Sequence, residues 1–364
     1  MTKPGEACTS LYDQQLSEKA AKTKKEFACF MLPELEIFPS PPSHFRMRAE
    51  FKIWHENNHA SYAMFEPGKY KKSVVIDDFS IGHKRIVELM SPLLDTINAS
   101  EVLRQKLFQI EFLTTTTNDA VVTLIYHKPL NDTWLAEAAA LETQLSCSII
   151  GRSKKQKQVL SKDYVNELFC INGSEYRYKQ VESGFTQPNG FVCQHMLEWA
   201  QTVTQGLGGD LLELYCGNGN FTLPFSLNFK KILATEVSKI SVKSARENIA
   251  ENAIENIIVL RMSSEEITQA LESVREFRRL RDINLEDYNF STVFVDPPRA
   301  GLDDATLKLV SRFDNILYVS CNPETLKNNL ETLISSHQID RFALFDQFPY
   351  TEHRECGVLL RKKK

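Results

Sequence analysis

Residues 210–221 read Asp210-Leu211-Leu212-Glu213-Leu214-Tyr215-Cys216-Gly217-Asn218-Gly219-Asn220-Phe221. The run 210–215 predicts a buried strand, and a helical pattern follows the loop through Leu227. Strand, glycine loop and helix in that order open a nucleotide-binding α/β fold. The loop lacks the third glycine of the dinucleotide fingerprint, and a Gly-x-Gly alone identifies no single ligand. A nicotinamide dinucleotide and S-adenosylmethionine both remain open here. The second has no pyrophosphate and needs fewer close backbone approaches.

The pattern continues outward from this loop. A strand over 232–235 ends in Glu236, nineteen residues beyond Gly217, where an acid can accept both ribose hydroxyls. A helix over 241–250 and strands over 257–260, 293–295 and 316–319 follow. The segments 342–346 and 357–361 predict a closing antiparallel pair. This is βαβαβ alternation with a terminal hairpin, hence a mostly parallel sheet. Ligands bind at the carboxyl edge of such a sheet, and the chemistry-bearing residues gather at that edge. Asp296 follows the strand 293–295, and Pro297 and Pro298 hold it rigidly. Cys321 follows the strand 316–319, ahead of Asn322, Pro323 and a helical pattern. A thiol there can be exposed and activated; the alternative is a small buried hydrophobe. Glu355 lies between the last two strands, where a carboxylate can act as a general base.

The first half of the chain alternates less regularly. An amphipathic, lysine-rich helix is expected over 10–30, with Leu11, Leu16 and Ala20 on one face. Pro33, Pro39, Pro41 and Pro42 then indicate a linker over 32–43. The stretch 44–54 alternates as a strand. Phe45, Met47, Ala49, Phe51 and Ile53 share one face, and Arg46, Arg48, Glu50 and Lys52 the other. Two arginines side by side can clamp a phosphate; an ordinary half-exposed strand is the alternative. Strands are expected over 61–65 and 72–76 around a Pro67-Gly68 turn, a helix over 86–97, and a hairpin of 107–113 with 120–126. A helix over 134–144 and a strand over 148–150 complete this half. It reads as an α+β domain, distinct from the doubly wound one. A sheet face with aromatics and basic flanks can stack and clamp RNA. Phe108 is a candidate stacker, with simple core as its other reading.

The 364 residues suffice for two domains, 42% of them apolar and 25% charged. The net charge of −4 argues against non-specific nucleic-acid binding but leaves room for local basic clusters, as at 69–85, 152–157 and 361–364. Eight cysteines are scattered without a Cys-x-x-Cys pair, so neither a metal nor an iron–sulfur cluster is expected. No apolar run spans a bilayer and the N-terminus is polar, so a cytoplasmic protein with reduced thiols is the expectation.

A thiol, a rigid aspartate, a candidate base and a glycine loop at one edge suit one reaction. Uracil C5 is a poor nucleophile until a thiolate adds at C6; a base must then remove the C5 proton so that the thiol can leave. The segments 183–190 (SGFTQPNG), 211–223 (LLELYCGNGNFTL), 234–238 (ATEVS), 294–302 (FVDPPRAGL), 318–326 (YVSCNPETL) and 345–360 (FDQFPYTEHRECGVLL) resemble the bacterial tRNA (uracil-5-)-methyltransferases. With 44–55 and 106–115, the resemblance covers nearly the whole chain.

The resemblance implies a Rossmann-like, S-adenosylmethionine-dependent methyltransferase domain over 176–364. It implies an α+β RNA-binding domain over 44–175, preceded by an N-terminal helix and linker over 1–43. By resemblance, Cys321 is the nucleophile and Glu355 the base. Gln187, Tyr215, Asn220, Glu236 and Asp296 contact S-adenosylmethionine, and Arg46, Arg48 and Phe108 meet RNA. The implied substrate is the tRNA T-loop, with a T-loop-like arm of transfer-messenger RNA as a second, and the implied state is a monomer. Relatives that methylate ribosomal RNA often carry an N-terminal oligonucleotide-binding barrel and a four-cysteine cluster motif, and neither is apparent in this sequence. A ribosomal RNA uracil-C5 methyltransferase and an RNA-binding or folding module stay open as alternatives.

Overall fold

The computed structural model describes residues 4–66 and 69–364. The expected Pro67-Gly68 turn lies outside the described residues, as do the side chains of Lys69, Lys71 and Lys72. The chain forms two compact units. One comprises the chain through Pro42, Phe169–Tyr178 and Phe191–Lys364; the other comprises Ser43–Leu168 and Lys179–Gly190.

The first unit is built on an eight-stranded sheet, in the order Leu35–Phe38, His337–Phe345, Glu355–Lys362, Asn315–Ser320, Phe290–Val295, Asp210–Leu214, Ile232–Thr235, Ile257–Leu260. Glu355–Lys362 runs antiparallel to both neighbours, and the other strands run parallel to one another. From Asp210–Leu214 the chain steps outward to Ile257–Leu260, then returns on the other side with Phe290–Val295. That reversal is a topological switch point, where the ends of adjacent strands diverge and leave a crevice. One face is covered by Gly190–Val203 and Lys239–Glu251, around Trp199, Phe225 and Phe294. The other is covered by Asp304–Val310, Pro323–Leu333 and the N-terminal helix Pro4–Glu26, around Tyr318, Leu330 and Phe342. Burial on both faces explains why these strands read as continuous apolar runs.

Two expectations about the N-terminal region are corrected. The predicted linker 32–43 contains the edge strand Leu35–Phe38, which pairs with residues 342–345. Its four residues are too few to show alternation, and the flanking prolines suit an edge strand as well as a linker. The helix spans Pro4–Glu26, and its buried face carries Tyr12, Lys19, Ala20 and Thr23, while Leu11 is 64% exposed. Polar partners in the same unit hold that face, so hydrophobic spacing mislocated it. The compact units therefore group the N-terminal segment with the sheet of 210–362, whereas 1–43 was expected to stand apart. They also assign 169–178 to this first unit, because Phe169, Ile171, Tyr176 and Tyr178 join its core.

The second unit has a seven-stranded sheet, in the order Lys69–Val75, His59–Glu66, Arg48–Glu56, Leu107–Thr114, Ala120–Tyr126, Ser148–Ser153, Gln156–Val159. Only Ala120–Tyr126 and Ser148–Ser153 pair in parallel, joined through the helix Asp132–Leu145. Phe45, Met47, Ala49, Phe51 and Ile53 are all buried, as the alternation predicts. The ladder begins only at Arg48. Before it, the Arg46 N–H donates to Ile81 O at 2.9 Å and the Met47 N–H to Pro188 O at 2.7 Å. Lys84–Ala99 and Asp132–Leu145 cover one face of this sheet, which makes the unit α+β.

Candidate active site

The glycine loop leaves the central strand through a left-handed residue. Tyr215 has φ +62°, Gly217 φ +56° and Gly219 φ +85°. A β-carbon is normally excluded from that region, so Tyr215 holds a strained conformation. Its hydroxyl donates to Ser264 Oγ at 3.0 Å. Glu236 closes the loop from the next strand: Oε2 accepts the Gly217 N–H at 3.1 Å and Oε1 the Ser238 N–H at 2.7 Å. Both backbone donors fix the carboxylate's direction and leave lone pairs for a ligand. Asn220 sits beyond the loop, its Nδ2 3.3 Å from Cys193 Sγ, and its carbonyl accepts from Tyr178 Oη at 3.0 Å.

The second half of the site is set by strand pairing. Asn315–Ser320 and Glu355–Lys362 are antiparallel, with Ser320 opposite Cys356. Cys321 and Glu355 are the next residues past that pair, at the end of the same ladder. Cys321 is half-buried on the loop into Pro323–Leu333. Asn322 caps this helix by accepting the Glu324 N–H at 3.1 Å. The Asn322 amide and Thr325 hydroxyl both donate to Arg299 O, at 3.0 and 3.3 Å. Asn329 accepts the Leu302 N–H at 3.0 Å and donates to Leu302 O at 3.3 Å. The helix that follows the thiol thereby grips the Asp296–Leu302 loop.

The electrostatics of the site are acidic. Burial raises the Glu355 carboxyl well above its usual range; the neighbouring Asp296 charge adds to this and Arg299 opposes it. Burial raises Asp296 too. Burial also pushes the Cys321 thiol up, helped by the Glu355 and Asp296 charges and opposed by Arg299 through its charge and a hydrogen bond. A cavity of about 510 Å³ opens at Cys321, lined among others by Arg299, Lys327, His353, Arg354 and Glu26.

Cys321, Glu355, Tyr215, Asn220, Glu236 and Asp296 thus all stand in the first unit, at one edge of its sheet. Gln187, Arg46, Arg48 and Phe108 stand in the second. Arg48, expected in a phosphate clamp, is engaged within its own unit: its guanidinium donates to Gly184 O at 2.9 Å and to Glu182 O. Arg46 is half-buried, and burial lowers its guanidinium pKa. Phe108 is half-buried, with Lys52 Nζ 3.9 Å from its ring centre and the His127 ring at 4.3 Å, so it is not simple core.

Sequence reasoning missed Glu213. It is fully buried in the central strand, with the Thr222 hydroxyl as a weak hydrogen-bond partner. Burial pushes Glu213 up to about 8; the Thr222 hydrogen bond opposes this and the Asp296 charge adds to it. An acid inside a run of leucines was the available signal, since a fully buried carboxyl needs a reason. Among the described residues no group of side chains is arranged to hold a metal ion, and no helix is long and apolar enough to cross a membrane.

Comparison with known proteins places this geometry in a family. A family model described as tRNA (Uracil-5-)-methyltransferase matches residues 11–363. A Saccharophagus degradans protein named tRNA/tmRNA (uracil-C(5))-methyltransferase is 63% identical over the whole of both chains. A protein of the same name from Neisseria meningitidis is 54% identical, over 97% of this chain and 99% of its own. Among solved structures, the Pyrococcus abyssi tRNA (uracil-54, C5)-methyltransferase in complex with S-adenosyl-L-homocysteine superposes with a TM-score of 0.73. It shares 22% identity, over 96% of this chain and 83% of that one, which shows a common fold.

Proposed function

Because the chain belongs to the tRNA (uracil-5-)-methyltransferase family, we propose that it transfers a methyl group from S-adenosylmethionine to C5 of a T-loop uridine in tRNA. A T-loop-like arm of transfer-messenger RNA is the second substrate, and the protein acts as a cytoplasmic monomer. The names of its relatives support both RNA substrates. The observation that carries the chemistry is that the register ends with Ser320 opposite Cys356, with Cys321 and Glu355 the next residues on the two chains and the Glu355 charge acting on the Cys321 thiol.

The residues present fit the cofactor. Glu213, Asp296 and Glu355 are all pushed toward their neutral forms, which marks a site short of positive charge. S-adenosylmethionine carries a sulfonium and an ammonium, and when bound it supplies an electrophilic methyl group. Glu236 would hold the ribose, while Tyr215, Asn220 and Asp296 complete the binding set of the first unit; the assignment of Gln187 rests on the family resemblance alone. Space beside Gly217 is open: a β-carbon there would meet nothing within 4 Å.

Cys321 acts first. Its thiolate adds to uracil C6, and the ring electrons move toward C5, which then takes the methyl group. Arg299 favours the thiolate against the two neighbouring carboxylates. Glu355 then accepts the C5 proton, the C5–H electrons restore the C5–C6 double bond, and Sγ leaves. A carboxyl raised by burial is a stronger base once ionised, which suits this step. In the second unit, Arg46 and Phe108 would meet the T-loop, with Phe108 stacking on a base. Arg48 is assigned to ordering the 182–184 segment, which it already hydrogen-bonds.

The test uses tRNA carrying 5-fluorouridine. Fluorine cannot leave C5 as a proton, so protein, RNA and S-adenosylmethionine should give an adduct that persists on a denaturing gel. Cys321→Ala should abolish it while still binding the cofactor. Adduct formation by Cys321→Ala would remove the thiol from the mechanism. An adduct with ribosomal RNA fragments but none with tRNA would overturn the substrate assignment.

A further inference from the structure

The loop 346–354 joins the last two strands and delivers Glu355 to the site. Loops of this kind are ordinarily the mobile parts of a fold, yet both ends of this one carry a buried charge bound to the N-terminal helix. At its start, Asp346 is fully buried and accepts from Lys19 Nζ at 2.7 Å and from Gln15 Nε2 at 2.9 Å. Lys19 Nζ also donates to Phe348 O at 2.7 Å. At its end, Arg354 is buried beside Glu355 in the chain. Its Nη1 donates to Thr23 Oγ1 at 3.1 Å, and its Nη2 pairs with Glu26 Oε2 at 2.7 Å. A third pair, Lys22 with Glu352 at 2.8 Å, lies on the exposed side.

Gln15, Lys19, Thr23 and Glu26 follow one another at helical spacing and so share one face. One rigid element therefore grips the loop at both ends. Glu26 also lines the cavity that opens at Cys321. Buried, hydrogen-bonded ion pairs are poor sources of net stability, because desolvation offsets their attraction, but they hold geometry tightly. A proton transfer is sensitive to geometry, since the base must stand within hydrogen-bond reach of the proton it takes.

We propose that the N-terminal helix Pro4–Glu26 is the positioning element of the catalytic base, with Thr23 and Glu26 acting through Arg354 on Glu355. This rests on the reading of Glu355 as the base. The step it governs is the last one: the C5 proton passes to the Glu355 carboxylate, the C5–H electrons form the C5–C6 bond, and the C6–Sγ bond breaks. Addition of the thiol and arrival of the methyl group precede it and do not need Glu355. Loosening the brace therefore slows release alone, and methylated RNA accumulates on Cys321.

The experiment compares wild type with Thr23→Val, Glu26→Ala, Thr23→Ser and Glu26→Gln on ordinary uridine tRNA. Thr23→Val leaves the Arg354–Glu26 pair intact and is the variant to read if Glu26→Ala does not fold. The expected result for Thr23→Val and Glu26→Ala is a fall in kcat of about tenfold or more. KM for tRNA should fall in step with kcat, so that kcat/KM and the cofactor dissociation constant stay within about twofold, and a covalent methylated adduct should appear that wild type does not show. Thr23→Ser and Glu26→Gln keep an acceptor for the guanidinium and should restore most of kcat. A fall in kcat without adduct, or kcat unchanged in Thr23→Val, overturns the proposal. Wild type with 5-fluorouridine tRNA is the control. If it forms no adduct, the reading of Cys321 and Glu355 itself fails. If it does and the helix variants release product normally, only the brace fails.

Discussion

Replacing Gly217 and Gly219 separately by alanine divides the glycine loop into a ligand-facing and a protein-facing half. Both have positive φ, +56° and +85°, and a β-carbon in that region costs about 1–2 kcal/mol. Each variant should lose about that much stability from the backbone alone. Space then separates them. A β-carbon at 219 would lie 3.1 Å from Leu223 Cδ1 and 3.5 Å from Ala245 Cβ, while one at 217 would meet nothing within 4 Å. Gly219→Ala should therefore lose about 1 kcal/mol more from overpacking. For the cofactor the order reverses. The new methyl at 217 projects into open space beside Glu236, where the proposed function puts the cofactor. S-adenosylmethionine should bind at least about tenfold more weakly, or about 1.4 kcal/mol. Gly219→Ala projects toward Leu223 and Ala245 and should bind within about threefold of wild type. Denaturant unfolding gives the first pair of numbers and titration calorimetry the second. Cofactor affinity in Gly217→Ala within about twofold of wild type would refute the placement.

Three further outcomes follow from the site's charges. Glu236→Ala removes the acceptor of two backbone N–H groups and should weaken cofactor binding by about 1.5–3 kcal/mol; calorimetry showing unchanged affinity would remove Glu236 from the ribose role. Glu213 is held protonated up to about pH 8 in the fold, whereas an unfolded carboxyl releases its proton near its ordinary value. The folded state binds the extra proton between those limits, so this group's contribution to stability falls as pH rises through that window, by about 3–5 kcal/mol in all. Glu213→Gln should flatten that part of the stability–pH curve in melts from pH 5 to 8, and an unchanged slope would show that Glu213 does not carry it. Arg299→Gln deletes the cation that opposes the raised Cys321 thiol. The acid limb of the kcat/KM profile should move to higher pH, and an unmoved limb would show that Arg299 does not support the thiolate.

The sequence by itself determined the doubly wound half and the site at its edge. Strands buried on both faces must be written as apolar runs, and each residue after such a run lands on the same sheet edge. Gly217, Glu236, Asp296 and Cys321 could therefore be placed together without coordinates. The alternation of Phe45 to Ile53 was legible for the same local reason, because one face of that strand is core. What lay beyond local pattern was set by distant partners. The edge strand Leu35–Phe38 is defined by its pairing with residues 342–345, some three hundred positions away. The face of the N-terminal helix is chosen by Asp346 and Arg354 rather than by leucines. Arg48 was expected in a phosphate clamp, and only the fold shows its guanidinium donating to the carbonyls of Glu182 and Gly184. Glu213 read as an ordinary strand residue until burial on both sides raised its carboxyl pKa. Periodicity reports which face of an element is apolar. Which polar groups meet across that face is a property of the folded chain, and only the tertiary structure decides it.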